Sequence, residues 1–170
     1  MKRIIFGLIF VLITIQGYSQ KYAYVNTEYI LSNIPAYKAA QDKLNEISLE
    51  WQKELEREYK VVEKLRSDFQ SEKVLLTKDM IKQKEKEIAD KEREVKKLQN
   101  KFFGPDGELF EKRLELIKPI QDEVYDVIKE IAETGKYAVI FDTANGATFL
   151  YANPRYDKSD EVLEKLGYKN

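Results

Sequence analysis

The 170-residue chain contains no cysteine and no histidine. Without cysteine there are no disulfides to brace the fold and no thiol nucleophile. Without histidine the usual general base near neutral pH and the commonest metal ligand are missing, which excludes Ser-His-Asp hydrolysis and the ordinary zinc sites. Glycine (7 residues) and proline (4) are scarce, so there are few breakers to interrupt long regular elements. No phosphate-binding glycine loop occurs, since "DTANGAT" (142–148) lacks the required lysine and spacing. Glycoside hydrolysis by paired carboxylates stays formally open. The acidic residues, however, lie on charged helical faces, where a solvated surface is their ordinary role. The expectation is a protein that is not an enzyme, with no cofactor, no metal and no nucleic-acid partner.

Charge, by contrast, is abundant. Lys, Arg, Asp and Glu make up 35% of the chain, and the mean hydropathy is −0.55. The exception is the amino-terminus, where Lys2 and Arg3 precede the uncharged apolar run "IIFGLIFVLITI" (4–15). That run is shorter than the roughly 20 residues a membrane span requires. Small residues at Gly17 and Ser19 follow, completing the layout of a secretory signal peptide over residues 1–19. The expected mature chain starts near Gln20, is exported, and has nowhere to attach a lipid because no cysteine follows the run. Taking away Lys2 and Arg3 moves the formal net charge from −1 to −3.

Two runs rich in Tyr, Val, Ile and Phe, "KYAYVN" (21–26) and "KYAVIFDT" (136–143), read as strands. A third, "ATFLYA" (147–152), follows across Asn145-Gly146, and Asn-Gly between such runs predicts a hairpin. Asn153-Pro154 ends that strand. Ser159 is then placed to cap a last helix, with Gly167 as its stop.

About 100 helical residues separate these ends. Leu44, Ile47, Trp51, Leu55, Tyr59, Val62, Leu65 and Phe69 recur at steps of three and four, as one face of a helix demands. Ile81, Ile88 and Val95 continue once in seven, too thin for a coiled-coil seam. Residues 81–99 carry twelve charges in nineteen positions, seven basic and five acidic. Glu87 with Lys91 and Glu92 with Lys96 are spaced as i,i+4 ion pairs. Two places could reverse the chain, "GPDG" (104–107) and "LLTKDM" (75–80), where Thr77 can cap a new helix. At 1.5 Å per residue, a turn at GPDG leaves arms of roughly 100 and 40 Å, so the strands could not meet. A turn near Thr77 leaves roughly 60 and 85 Å. The expected tip is therefore at 75–80, with GPDG and Pro119 as kinks in the returning arm.

The predicted fold class is α+β, a long antiparallel helical hairpin (36–134) on a small β-strand body (20–35 and 135–170). Three short strands cannot form a stable sheet alone and leave unpaired edges. Association of copies into a barrel-like core solves both problems.

At this level the sequence resembles the Skp/OmpH family of periplasmic chaperones over essentially its whole mature length. "YAYVNTEYIL" (22–31) resembles the family's opening strand and short helix, and "LIKPIQDEV" (116–124) the stretch leading back to the body. "YAVIFDTANGATFLYANPRYDKSDEVLEKLG" (137–167) resembles the terminal strand pair and helix, with Asp157, Ser159, Val162 and Leu163 filling its helix-start pattern. The resemblance implies a homotrimer whose arms enclose a cavity that holds unfolded outer-membrane proteins in the periplasm without ATP. It also implies a weak contact with lipopolysaccharide or a membrane surface. Family members are basic, and in charge this chain departs from them. The alternative is a structural coiled-coil envelope protein, or an adaptor binding a folded partner, but that predicts a continuous seam.

On this reading Tyr22, Tyr24, Val25, Val139, Ile140, Phe141, Phe149 and Tyr151 form the oligomerisation body. Ile81, Ile88, Val95 and Phe102 are candidate client contacts on the arm, and Gly104, Pro105 and Gly107 are a hinge.

Overall fold

A computed structural model describes residues 20–144, 146 and 149–168. The expected signal peptide, residues 1–19, lies outside them. The described chain forms two compact units, a base of residues up to 30 and from 125 onward, and an arm of residues 31–124.

The base holds a two-stranded sheet. Strand β1 (Lys21–Val25) pairs in parallel with β2 (Tyr137–Asp142), with Tyr22 opposite Val139, Tyr24 opposite Phe141 and Val25 opposite Asp142. The period-2 alternation of β1 sends Ala23 and Val25 into the core, both under 4% exposed, and Tyr22 and Tyr24 to the other face. Helix α1 (Thr27–Ser32) follows at once. The Asn26 side chain accepts the Tyr29 N–H at 2.9 Å, and the Asp142 carboxylate accepts both the N–H and the hydroxyl of Thr27 at 3.2 and 2.7 Å. One carboxylate at the end of β2 thereby locks the first turn of a helix more than a hundred residues earlier in the chain.

After β2 the expected third strand, 147–152, is not seen among the described residues. Residues 147 and 148 lie outside the described residues, and 149–152 have no strand pairing. The side of β1 away from β2 is instead covered by residues 157 and 158. Lys158 donates its N–H to the Tyr24 carbonyl at 2.9 Å, and a single parallel bridge joins Tyr24 to Asp157. The last helix, numbered α6 in chain order, spans Ser159–Lys165. Its start is also built differently from the expectation. Ser159 lies within the helix; its hydroxyl accepts the Asn26 N–H at 2.9 Å and donates to Asp157 at 2.6 Å. The Asp157 carboxylate takes the Ser159 N–H at 2.9 Å. The helix ends as expected on Gly167, at φ 79°. Gly167 donates to the Glu164 carbonyl and Tyr168 to that of Leu163, the paired pattern of a glycine-terminated helix. Val162 and Leu163, like Val25, Ile30 and Ile131 of the same unit, are buried at 2% exposure or less.

The arm is a helical hairpin. Helix α2 (Pro35–Glu72) opens on a proline in its first turn, where no N–H is missed. A short 3-10 turn, Lys73–Leu75, leads to α3 (Lys78–Phe103). Thr77 caps α3 by accepting the Met80 N–H, and Asp79 sits in its first turn. Helices α4 (Glu108–Leu116) and α5 (Lys118–Gly135) continue the chain. Leu55, Val62, Val95 and Phe102 pack between α2 and α3, flanked by Trp51, Leu98 and Phe103. The two i,i+4 ion pairs expected on α3 do not form. Lys91 meets Glu58 across the hairpin at 2.7 Å, and Glu92 accepts from Arg66 Nε at 2.7 Å. A facing helix offers partners on the same charged flank, so these side chains bridge α2 and α3 and do not pair along α3.

GPDG does interrupt the helix, between α3 and α4. It is a tight bend. Gly104 donates to the Asn100 carbonyl at 2.8 Å, and the Gly107 N–H reaches the Gly104 carbonyl at 3.0 Å. A Cβ on Gly104 would stand 2.3 Å from the Asn100 oxygen, and one on Gly107 within 2.9 Å of three backbone atoms. Both glycines are required by close approach; each has an ordinary negative φ.

Candidate interaction surfaces

In the base, the face of the sheet opposite the core is aromatic. Tyr22 stacks on Phe141 with ring centroids 6.4 Å apart, Phe149 meets Phe141 edge-on at 5.9 Å, and Tyr24 lies 6.3 Å from Phe149. These rings, with Tyr151 and Tyr156, line a shallow hollow. Tyr22, Val139, Phe141 and Phe149 remain between 41% and 48% exposed, and Tyr151 is 80% exposed. Partial burial raises the Tyr24 phenol above its ordinary pKa, with the Asp157 carboxylate and Tyr151 adding to the effect. The phenol is therefore neutral across the physiological range.

Ile140, opposite Ala23 in the register, turns to the core side and is half-buried, while six of the eight residues expected in the oligomerisation body reach the aromatic side of the base. Val25 does not. It is 2% exposed and belongs to the core of its own chain, because its register position puts it on the inner side of β1. Among the described residues β2 has only β1 beside it, so its second edge is open.

On the arm, the four expected client contacts are placed otherwise. Ile88, Val95 and Phe102 are 9%, 2% and 4% exposed, and Ile81 is half-buried. Val95 and Phe102 lie in the seam with Leu55 and Val62, because one apolar residue per heptad is enough when the partner helix, α2, supplies a dense apolar row. The arm's exposed apolar surface comes from other residues. Val74 (92%) and Leu75 (87%) stand out at the reversal, with Met80 beside them and Val61, Phe110 and Leu114 further along. Exposure at a hairpin end follows from geometry, since the last residues have no helix opposite them. That rule, applied to the predicted tip, points to these residues from sequence.

The base and the arm together define a class of protein, a helical hairpin grown between two strands of a small β-containing base. Its apolar residues are available for contact, and no catalytic constellation accompanies them among the described residues. The chain belongs to the family described as outer membrane protein (OmpH-like), which matches residues 21–166. Its fold is similar to that of a putative outer membrane chaperone (OmpH-like) from Caulobacter crescentus CB15. The TM-score is 0.65 at 16% identity, over 87% of this chain and 84% of that one. No curated protein matches the chain.

Proposed function

We propose that the protein is an ATP-independent holdase chaperone of the periplasm, exported by its leader and acting on unfolded outer-membrane proteins. The observation that carries this reading is the distribution of apolar surface on the arm. The seam is closed by a few buried side chains, while Val61, Val74, Leu75 and Met80 are left in water among dense charge. Scattered apolar contacts of about 25 cal/mol per Å² hold a client weakly at each point. The surrounding charge keeps empty arms soluble.

The aromatic face and open edge of the base support self-association, and a homotrimer with a shared barrel-like core is the arrangement we assign to it. Tyr22, Tyr24, Val139, Ile140, Phe141, Phe149 and Tyr151 are its contacts, and clients sit in the cavity between the arms. Lys73, Lys78, Lys82, Lys84 and Lys86, clustered near the reversal, are the surface for a weak contact with lipopolysaccharide or a membrane. The GPDG bend is the site of any hinge motion in the arm.

The test is dilution of a denatured β-barrel outer-membrane protein into buffer with the mature chain, followed by light scattering. Suppression of aggregation at one trimer per client is expected, and undiminished aggregation rejects the holdase. Mass measurement in solution should give an elongated trimer; a monomer overturns the assembly.

A further inference from the structure

Helix α4 carries Leu109, Phe110, Leu114 and Leu116 in nine residues and buries none of them. Phe110 and Leu114, one turn apart, are each 44% exposed. Together with Phe103, Gly104, Pro105 and Leu109, Phe110 lines a niche at the GPDG bend, and Arg113 stands at its rim. Of the nearby carboxylates, Glu108 pairs with Lys101 at 3.2 Å and Glu115 with Lys112 at 2.5 Å, while Glu111 and Asp106 make no ion pair among the described residues. The Arg113 guanidinium has no ion pair or hydrogen bond among the described residues. Beyond it the groove changes character. Arg113 also borders a second hollow, where Gln41, Asn45 and Gln121, amides that donate and accept hydrogen bonds, are interspersed with the apolar Leu44, Leu109 and Ile117.

An apolar niche, one free guanidinium and a bank of amides in sequence match one kind of occupant. We infer that this bend of the arm is a recognition site for an extended segment of unfolded polypeptide carrying a carboxylate beside an aromatic or large apolar side chain. The apolar side chain fills the niche against Phe103 and Phe110. The carboxylate pairs with Arg113, whose planar fork suits a two-oxygen acceptor. The peptide backbone runs along Gln41, Asn45 and Gln121. A phosphate-rich or lipid ligand calls for several cations, and the niche has one. In the bend as folded, the close backbone approach at Gly104 and Gly107 brings Phe103 and Pro105 into one wall of the niche. This inference rests on the holdase reading and adds to it the chemistry of the preferred client segment.

The carboxylate can be a side chain or a chain terminus, and three short acetylated peptides separate the sources. One ends in Phe with a free carboxylate, one is amidated with Asp before Phe, and one is amidated with Asn in its place. Binding to the full mature protein is followed by the fluorescence of Trp51, the sole tryptophan, whose ring meets Phe103 edge-on at 6.3 Å. Calorimetry provides a second readout. One or both carboxylate peptides should bind about tenfold more tightly than the amidated Asn peptide, as a charge-assisted pair implies. Tighter binding of the first alone assigns a terminal carboxylate, and of the second alone a side chain. Arg113→Gln should abolish the preference with helicity unchanged, while Phe110→Ala should weaken all three peptides. Equal binding of the three, or a preference that survives Arg113→Gln, overturns the inference. Aggregation suppression is measured on the same samples. If it persists without the peptide preference, only the site is lost; if it is absent while the preference holds, the holdase reading is lost.

Discussion

The indole of Trp51 lies flat against the ring of Phe102, with centroids 4.8 Å apart and planes 1° from parallel. Phe103 closes on both rings edge-on at 6.3 Å. Three aromatic groups thus tie α2 to the last turn of α3, just before the GPDG bend. A stacked pair of this kind adds roughly 0.5–1.5 kcal/mol beyond the area it buries. Phe102→Ala should cost the arm about 3 kcal/mol, read as an earlier unfolding midpoint by circular dichroism in denaturant. A change below about 0.5 kcal/mol would show that the stack is not a joint of the hairpin.

The seam and the tip divide stability from client contact. Val95→Ser places a hydroxyl at a 2% exposed position and should destabilise the hairpin by about 2 kcal/mol. Val74→Ser and Leu75→Ser, at positions 92% and 87% exposed, should stay within about 0.5 kcal/mol of the parent. The tip pair should nevertheless lose aggregation suppression. Full activity in that double variant would remove the tip from the client surface.

Gly107 sits where three backbone atoms converge, with the Gly104 nitrogen and the Lys101 and Phe102 oxygens at 2.8 to 2.9 Å from any added Cβ. Backbone cannot step aside as a side-chain end can. Gly107→Ala should therefore cost about 1–3 kcal/mol. If thermal melting is unchanged by the substitution, the bend is looser than its geometry implies.

Lys91 bridges two carboxylates. Its hydrogen bonds to Glu58 and then Glu94 hold the ammonium pKa above its ordinary 10.5. A raised folded-state value means that the contribution is complete below pH 10.5 and fades as pH rises through the folded value. The parent should thus lose thermal stability more steeply in alkali than Lys91→Met, and salt should shrink the difference. Parallel curves for the two proteins would show that the bridge contributes nothing.

Between α5 and β2, Lys136 adopts φ 55°, the left-handed region that costs a non-glycine residue about 1–2 kcal/mol. Its side chain is exposed. Lys136→Gly removes the strain and returns part of the gain as extra freedom of the unfolded chain. A net stabilisation of about 0.5–1 kcal/mol is expected in chemical denaturation. A loss of stability would mean that the lysine side chain holds the turn.

Local chemistry made several elements legible. Thr77 as a helix cap, Gly167 as a helix stop and GPDG as a break depend on a residue and its immediate neighbours, and each stands where its residue type required. The strand character of 21–25 and 137–142 followed from β-branched and aromatic density in the same way. So did the hairpin, because 1.5 Å per residue left one reversal that lets the strands pair. The family resemblance, carried by the order of those elements, belongs to the same level.

What only the tertiary structure decided concerns partners distant along the chain. Glu92 was placed to pair within its own helix and pairs instead with Arg66, because α2 lies alongside. Val95 and Phe102 read as contacts for a client until the row of Leu55 and Val62 closed over them. Ser159 read as a cap until Asn26 arrived from the other end of the chain to donate to its hydroxyl. Residues 149–152 make no strand pairing, and it is residues 157–158 that meet the free side of β1. In each case composition set what a residue could bind or bury. Which of several competent partners it met depended on long-range packing, which spacing along one chain does not encode.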